Sequence, residues 1–192
     1  MSKRLTLVLL FVTFLVFAMS GCGPPTPTPT PQAPGKAILV TSTADAGPGT
    51  LRQALLDARS GDTITFDPAV FPPSAPATIY LTSNLPSITQ GNLTIDGSNA
   101  GVILDGSNIS EDWVSGLEIS SNRNTVQGLQ IVNFSSGPGI HLCGGAQNNT
   151  IGGDRGIGSG PLGQGNLVGN GEIGINLCDD GTSFNTITGN LI

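Results

Sequence analysis

The side chains best suited to chemistry in this chain recur at one position of a repeated block. Glu118, His141 and Asn176 each follow a glycine and an aliphatic residue, in Gly-Leu-Glu-Ile, Gly-Ile-His-Leu and Gly-Ile-Asn-Leu. Because residues alternate sides along a strand, the aliphatic residues would face a core and the polar residue would face solvent. Asp179 and Asp180 closely follow the third block. The pattern predicts a ligand patch of these five residues, and a plain solvated face is the alternative interpretation.

Other acidic residues of the chain are candidates for hydrolysis or calcium binding. A glycoside hydrolase needs two paired carboxyl groups, and a lyase needs calcium ligands together with a basic residue. Asp96 and Asp105 both stand in Asp-Gly-Ser-Asn segments, where a carboxylate readily accepts hydrogen bonds from the amides of its own turn. His141 is the single histidine, which excludes a His-rich metal site. We therefore expect no metal site and no cofactor, with calcium arising only if the protein is a lyase.

The elements that must position these side chains are themselves repeated. A second block, Asn-Thr-Val or Asn-Thr-Ile, begins at Asn124, Asn149 and Asn185. A self-similar unit of this length is typical of a stacked solenoid, with about six coils of about twenty to twenty-five residues expected here. The three asparagines predict a stacked ladder at a coil turn. Residues 152–165 lengthen one repeat and predict an inserted loop that projects from one side.

Two cysteines occupy equivalent places in successive repeats. Cys143 directly follows the block that contains His141, and Cys178 directly follows the block that contains Asn176. Adjacent coils of a solenoid lie about 4.8 Å apart, which is within the Cα separation that a disulfide accepts. A Cys143–Cys178 disulfide is therefore one hypothesis, and two stacked free thiols are the other.

Residues ahead of the repeats predict one helix and several short strands. Residues 50–59 place apolar side chains on one helix face, and Thr50 with Gln53 forms a capping-box pattern. Short runs rich in β-branched residues and bounded by turn residues predict strands. These runs are residues 37–41, 63–66, 78–81, 93–95, 102–104 and, within the repeats, 166–168.

The N-terminal residues have the pattern of a signal for export. Lys3 and Arg4 precede an uncharged run over residues 5–19. A basic start, a short apolar stretch and small residues form a secretory signal. A membrane-spanning helix needs roughly twenty apolar residues, more than this run supplies. We therefore predict a signal peptide over residues 1–21 and export of the remainder.

Residues 19–22 read Met-Ser-Gly-Cys, which resembles the lipobox of bacterial lipoproteins. The resemblance implies acylation of Cys22, which would become the mature N-terminus. The segment that follows is rich in proline and threonine, a composition that favours an extended polyproline spacer. We therefore expect a lipidated tether over residues 22–35. It would hold the protein at the bacterial membrane or cell surface, with the lipid as the only membrane contact.

The charge of the mature chain excludes some partners. After signal removal, five Lys and Arg residues stand against thirteen Asp and Glu residues, a net charge of −8. Nucleic acids and anionic lipid headgroups attract basic surfaces, so neither is an expected partner. A polysaccharide or cell-surface glycan is compatible with this charge.

The repeats over most of residues 37–192 resemble the right-handed parallel β-helix of the pectate-lyase-like class. The resemblance implies an all-β solenoid, with an N-terminal strand and capping helix over residues 36–61 and coils over residues 62–192. Leu51, Arg52 and Ala54 also match the N-terminal cap motif Cys-Ser-Leu-Arg-Glu-Ala-Ile of bacterial surface β-helix proteins. Because the chain ends inside an expected strand, we expect a C-terminally incomplete β-helix, with an end-to-end dimer as the alternative.

Two functions are consistent with these features. The first is a lipid-anchored, adhesin-like surface protein that binds glycans or other cells without catalysis. The second is an extracellular polysaccharide lyase or glycoside hydrolase, with active coils beyond residue 192 or around Glu118, His141 and Asp179. One fold hosts many chemistries, so the resemblance alone does not choose between them.

Overall fold

The computed structural model describes residues 35–192. The predicted signal peptide, Cys22 and the predicted tether up to residue 34 lie outside the described residues. The described residues form one helix and a series of short strands. Among them, no helix is long and apolar enough to cross a membrane. In chain order the elements are β1 (Ala37–Val40), α1 (Leu51–Asp57), β2 (Thr63–Phe66), β3 (Ala77–Tyr80), β4 (Thr94–Asp96), β5 (Val102–Asp105), β6 (Leu117–Ile119), β7 (Thr125–Gln127), β8 (Leu129–Val132), β9 (Pro138–Leu142), β10 (Thr150–Gly152), β11 (Leu167–Gly169), β12 (Ile173–Leu177) and β13 (Thr186–Thr188).

The strands form three parallel sheets that the chain visits in turn. Sheet A has the order β1-β2-β4-β7-β10-β13, sheet B the order β11-β8-β5-β3 and sheet C the order β12-β9-β6. From β4 onward, each pass leads from sheet A to sheet B, then to sheet C, and returns to sheet A beside the preceding strand. In the preceding pass, from β2 through β3 to β4, Ile88 alone bridges to Ile119 of sheet C. The described part of the chain is therefore mostly β, with one helix and a parallel, solenoid-like arrangement. The Gly-aliphatic blocks form the three strands of sheet C, and the Asn-Thr blocks lie at the starts of three strands of sheet A. Equivalent blocks are therefore stacked on one another, as their repetition predicted.

The coils are longer and fewer than the sequence spacing predicted. Corresponding positions on sheet A are 31 residues apart between Leu93 and Asn124, 25 between Asn124 and Asn149, and 36 between Asn149 and Asn185. Four turns separate β2 from β13, so the expected six coils are wrong. The expected length followed the shorter spacing of 23 residues between Gly116 and Gly139, whereas longer turns and the insertion over residues 152–165 lengthen other coils.

The core consists of aliphatic columns that run along the stack. On sheet A, Ile64, Ile95, Val126 and Ile151 lie in register on successive strands, and all four are fully buried. Burial of one such side chain stabilises the fold by about 1.5–3 kcal/mol. Because a parallel register fixes which side chains stack, it also aligns the outward residues into rows.

The inserted loop lies between β10 and β11, as predicted, but it does not simply project into solvent. Gly160 N donates to Ser98 O over 2.7 Å, and Ser159 N donates to Asn99 Oδ1 over 3.1 Å. These bonds attach the loop to a turn two coils earlier. No sequence pattern indicates this return, because it depends on which turns lie on the same side of the stack.

The helix α1 packs its apolar face into the same core. Thr50 is its N-cap, and the Thr50 side chain accepts a hydrogen bond from Gln53 N over 3.2 Å. The Gln53 side chain donates to Asp57 instead of reaching back, so half of the predicted capping box forms. Leu51 and Leu55 are buried with the first strands. The helix therefore covers apolar residues beside β1, the outermost strand of sheet A.

Arg52 joins the helix to two loops. Its Nη2 lies 2.6 Å from Asp45 Oδ1 and also donates to Ser83 O over 3.1 Å. Asp45 accepts a further hydrogen bond from Thr82 Oγ1 over 2.6 Å. Burial raises the pKa of Asp45, but the hydrogen bonds from Thr82 and Arg52 and the Arg52 charge outweigh it and hold the pKa below its ordinary value. This arrangement gives a physical reason for an arginine at the matched position of the cap motif.

The predicted strands all form, with ends shifted by one residue at most. The strand β8 was missed, although Gly128-Leu-Gln-Ile repeats the Gly-aliphatic-x-aliphatic pattern. It follows β7 after a single residue, Gly128, so the two strands read as one run in the sequence. Gly128 has a φ of 75°, which glycine adopts readily, and its position lies against the backbone of Gly97 and Ser98.

Candidate functional site

The predicted polar row forms on the outer face of sheet C. Glu118 pairs with His141, and His141 pairs with Asn176, across the parallel strands β6, β9 and β12. The neighbours of His141 in β9, Ile140 and Leu142, are fully buried. Because side chains alternate along a strand, the three polar residues point away from the core. The structure therefore brings together three of the five predicted patch residues.

Both cysteines continue this face beyond the strand ends. Cys143 N donates to Ile119 O and Cys178 N donates to Leu142 O, each over 3.0 Å, so the sheet C ladder extends by one residue. Residues two apart on an extended chain share a face, which places Cys143 beside His141 and Cys178 beside Asn176. The diagonal contact across the strands follows: His141 Nε2 lies 3.1 Å from Cys178 Sγ.

The imidazole and the two thiols form a compact cluster. One ligand atom from each of His141, Cys143 and Cys178 lies within 4.8 Å of the others. His141 is only 9% exposed, and its Nδ1 is buried without a hydrogen-bond partner. Sequence reasoning placed the two cysteines together and His141 beside Glu118, but it did not join the two pairs. The missed signal is His-x-Cys in one coil with a cysteine one coil later.

Both thiols are free in the structure. The Cys143–Cys178 disulfide stays a prediction, with its test given below. Burial raises the pKa of Cys143 to about 11, and the negative charges of Glu118, Cys178 and Asp179 add to the rise. Burial, followed by the Asp179 charge, also raises the pKa of Cys178. Thiols with raised pKa values are poor nucleophiles at neutral pH, so the cluster does not resemble an activated catalytic cysteine.

The acidic members of the predicted patch differ in their surroundings. Glu118 Oε1 accepts a hydrogen bond from Ser87 Oγ over 2.7 Å, which links it to the preceding coil. Asp179 has a φ of 69°, and its Oδ2 accepts from Gly144 N over 2.8 Å. Asp179 therefore fastens the end of β12 to the turn after β9. Asp180 is exposed at the same turn.

Asp96 and Asp105 have the structural role that their turns predicted. Asp96 Oδ1 accepts from Ser98 N, and Asp105 Oδ1 accepts from Ser107 N, each over 2.8 Å. Burial raises the pKa of Asp105, but the hydrogen bonds from Ser107 and Asn133 outweigh it and hold the pKa below its ordinary value. Both carboxylates therefore stabilise the turn in which they stand by accepting a hydrogen bond from its backbone.

The predicted asparagine ladder is confirmed. Asn124 Nδ2 donates to Asn149 Oδ1 over 2.9 Å, and Asn149 Nδ2 donates to Asn185 Oδ1 over 3.0 Å. A second ladder was missed, in which Asn166 Nδ2 donates to Asn190 Oδ1 over 3.0 Å. Its signal is the repeated Gly-Asn-Leu at the start of two sheet B segments. Both ladders therefore link equivalent turns of successive coils by hydrogen bonds.

The face of sheet C thus offers a carboxylate, an amide, an imidazole and two thiols within three coils. Comparison with family models, with curated proteins and with solved structures gave no match. The carboxylate and amide can accept and donate hydrogen bonds to a hydroxylated ligand. The imidazole and thiols are ligands for a soft or borderline metal ion.

Proposed function

We propose that this protein is an exported, lipid-anchored right-handed parallel β-helix that binds a glycan or cell-surface polymer without catalysis. The outer face of sheet C is the binding surface, with Glu118 and Asn176 as its principal hydrogen-bonding residues. Cys22 carries the lipid, and the tether over residues 22–35 holds the coils away from the membrane. The helix α1 caps the N-terminal end of the stack.

The observation that carries this proposal is the in-register row of Glu118, His141 and Asn176. Parallel strands place one member of the row on each coil, at a spacing of about 4.8 Å. Such a row presents polar groups at regular intervals along a line. An extended polymer with regularly repeated hydroxyl groups is the ligand chemistry that matches it.

Charge favours an uncharged polymer. The mature chain has thirteen acidic against five basic residues, so an anionic polysaccharide would be repelled at long range. A neutral glycan lacks this penalty, and its hydroxyl groups can donate to Glu118 and exchange hydrogen bonds with Asn176. We therefore expect neutral polysaccharides to bind in preference to polyuronates.

Binding to immobilised polysaccharides tests this function. The full chain and the variants Glu118→Gln and Asn176→Ala would be compared on neutral glucans and xylans and on polygalacturonate. Thr186→Ala, at an exposed position on sheet A, is the matched control. Glu118→Gln keeps an acceptor oxygen but removes the charge, and a hydrogen bond to a charged group is worth about 1 kcal/mol more than a neutral one, so we expect binding to weaken about fivefold.

Retention of a neutral polysaccharide that is lost in the two sheet C variants and kept in Thr186→Ala would support the proposal. Equal losses in all three variants would contradict the assignment of the binding surface. The same incubations report cleavage: newly formed reducing ends or unsaturated products would favour the polysaccharide lyase or glycoside hydrolase alternative.

A further inference from the structure

We propose that His141, Cys143 and Cys178 bind a single Zn²⁺ ion on the outer face of sheet C. The three side chains come from two adjacent coils, and one ligand atom from each lies within 4.8 Å of the others. His141 Nε2 and Cys178 Sγ are already 3.1 Å apart. Zinc binding is independent of the proposed glycan binding, because its ligands are His141, Cys143 and Cys178, whereas the principal glycan contacts are Glu118 and Asn176.

The geometry is close to what a tetrahedral ion requires. Zn–S bonds of about 2.3 Å and Zn–N bonds of about 2.0 Å separate neighbouring ligand atoms by about 3.5–3.8 Å. The distance between His141 Nε2 and Cys178 Sγ is slightly shorter than this, and the whole group is no wider than 4.8 Å. Small side-chain rotations would therefore seat the ion while the parallel strands keep their register.

The ligand types select the metal. Thiolate and imidazole ligands favour zinc, whereas calcium takes six to eight oxygen ligands. Two cysteines and one histidine supply three ligands and leave a fourth position for water or another donor. When the ion binds, two thiol protons pass to solvent and two thiolate–zinc bonds form, so the charge of the ion is balanced by two thiolates.

Two further observations point to a cation here. Glu118 lies beside His141 across the parallel strands, and Asp179 directly follows Cys178, so two carboxylates lie near the cluster and would complement a divalent ion. His141 is only 9% exposed, and its Nδ1 has no hydrogen-bond partner that would dictate the tautomer of the ring. Nε2, which faces Cys178 Sγ, can therefore carry the lone pair that binds a metal ion.

A disulfide is the competing use of the same sulfur atoms. Oxidation would remove both thiolates and leave His141 without a metal-binding partner. The two states are distinguished by counting thiols in protein isolated without reductant. A Cys22→Ser background restricts that count to Cys143 and Cys178, because these are the remaining cysteines of the chain.

Cobalt titration is the direct test, because Co²⁺ reports its ligands by absorption. The full-length chain, reduced and freed of metal, would be titrated with Co²⁺ and then with Zn²⁺. We expect one Co²⁺ per chain, a thiolate-to-cobalt charge-transfer band, visible bands of four-coordinate cobalt, and displacement by Zn²⁺. Cys143→Ser, Cys178→Ser and His141→Asn should each weaken binding about tenfold or more.

Thr186→Ala, at an exposed position on sheet A, and Cys22→Ser are the matched controls, and both should bind Co²⁺ within about twofold of the parent chain. Circular dichroism of every variant identifies any that fails to fold. Absence of the charge-transfer band in the folded parent chain would overturn the proposal. So would undiminished binding by His141→Asn, or a thiol count showing that the pair is already oxidised in freshly isolated protein.

Discussion

Substitution of Asn149 tests whether the asparagine ladder holds the coils together. Asn149 is fully buried, and its Oδ1 accepts from Asn124 N over 2.8 Å and from Asn124 Nδ2 over 2.9 Å. Its Nδ2 donates to Ser121 O and to Asn185 Oδ1, each over 3.0 Å. Asn149→Ala would remove all four bonds and deprive the buried Asn124 N–H of its acceptor.

The expected loss follows from these contacts. An orphaned buried N–H costs about 1–3 kcal/mol, and each ordinary hydrogen bond contributes about 0.5–1.5 kcal/mol. Asn124 Nδ2 keeps a bond to Ser121 Oγ, so its loss is only partial. We therefore expect Asn149→Ala to lower the free energy of unfolding by about 3 kcal/mol. At about 2–4 °C per kcal/mol for a domain of this size, Tm falls by about 6–12 °C.

Asn149→Asp is a sharper version of the same test. It retains the acceptor for Asn124 but places a second oxygen against two acceptors, Ser121 O and Asn185 Oδ1. The buried carboxylate would be unpaired when ionised and able to donate when protonated. We therefore expect Asn149→Asp to be at least as destabilised as Asn149→Ala at pH 7, and to recover relative to it as the pH falls.

Urea unfolding followed by circular dichroism measures both losses. The single tryptophan, Trp113, is 60% exposed and is a poor reporter of the core. Asn176→Ala, an outward-facing asparagine on sheet C, is the control and should change stability by less than about 0.5 kcal/mol. The reasoning is refuted if Asn149→Ala is no less stable than Asn176→Ala.

Two further predictions concern the cap and the turns. The pKa of Asp45 is depressed in the folded state, so its stabilisation is complete above the unfolded value of about 3.9 and is lost as the pH falls toward the folded pKa. Between pH 5 and pH 3, the urea midpoint of Asp45→Asn should therefore fall less steeply than that of the parent chain; parallel slopes would contradict this. Gly128→Ala would place a Cβ atom against the backbone of Gly97 and Ser98 at a φ of 75°, so we expect a loss of more than about 3 kcal/mol or failure to fold. In Gly169→Ala the new Cβ atom would meet only Leu167 Cδ2, at 3.8 Å, so the soluble yield and the urea midpoint should stay near those of the parent chain.

Much of the fold could be predicted because two local patterns repeat. Gly-aliphatic-x-aliphatic and Asn-Thr-aliphatic each identify a strand, and their recurrence indicates stacked parallel coils. Coil length could not be predicted in the same way. The turns around sheet B differ in length, and β8 adjoins β7 across Gly128 alone. A coil length taken from the shorter spacings therefore underestimates the coils that have longer turns.

The candidate site was only half predictable for a related reason. The row of Glu118, His141 and Asn176 follows from equivalent positions in the repeat, and so does the pair of cysteines. The contact between His141 and Cys178 joins non-equivalent positions, two residues apart along the strand and one coil apart across the sheet. Repeat alignment compares equivalent positions, so it does not reveal a diagonal contact.

The sequence by itself determined the strand-rich class, the helix and its buried face, the turn role of Asp96 and Asp105, and the asparagine ladder. These features depend on residue type and local spacing, which are written in the chain. Only the tertiary structure decided the coil length, the return of the inserted loop to Ser98 and the union of His141 with Cys143 and Cys178. Each of these depends on distances between coils, and the register of parallel strands fixes those distances after the chain has folded.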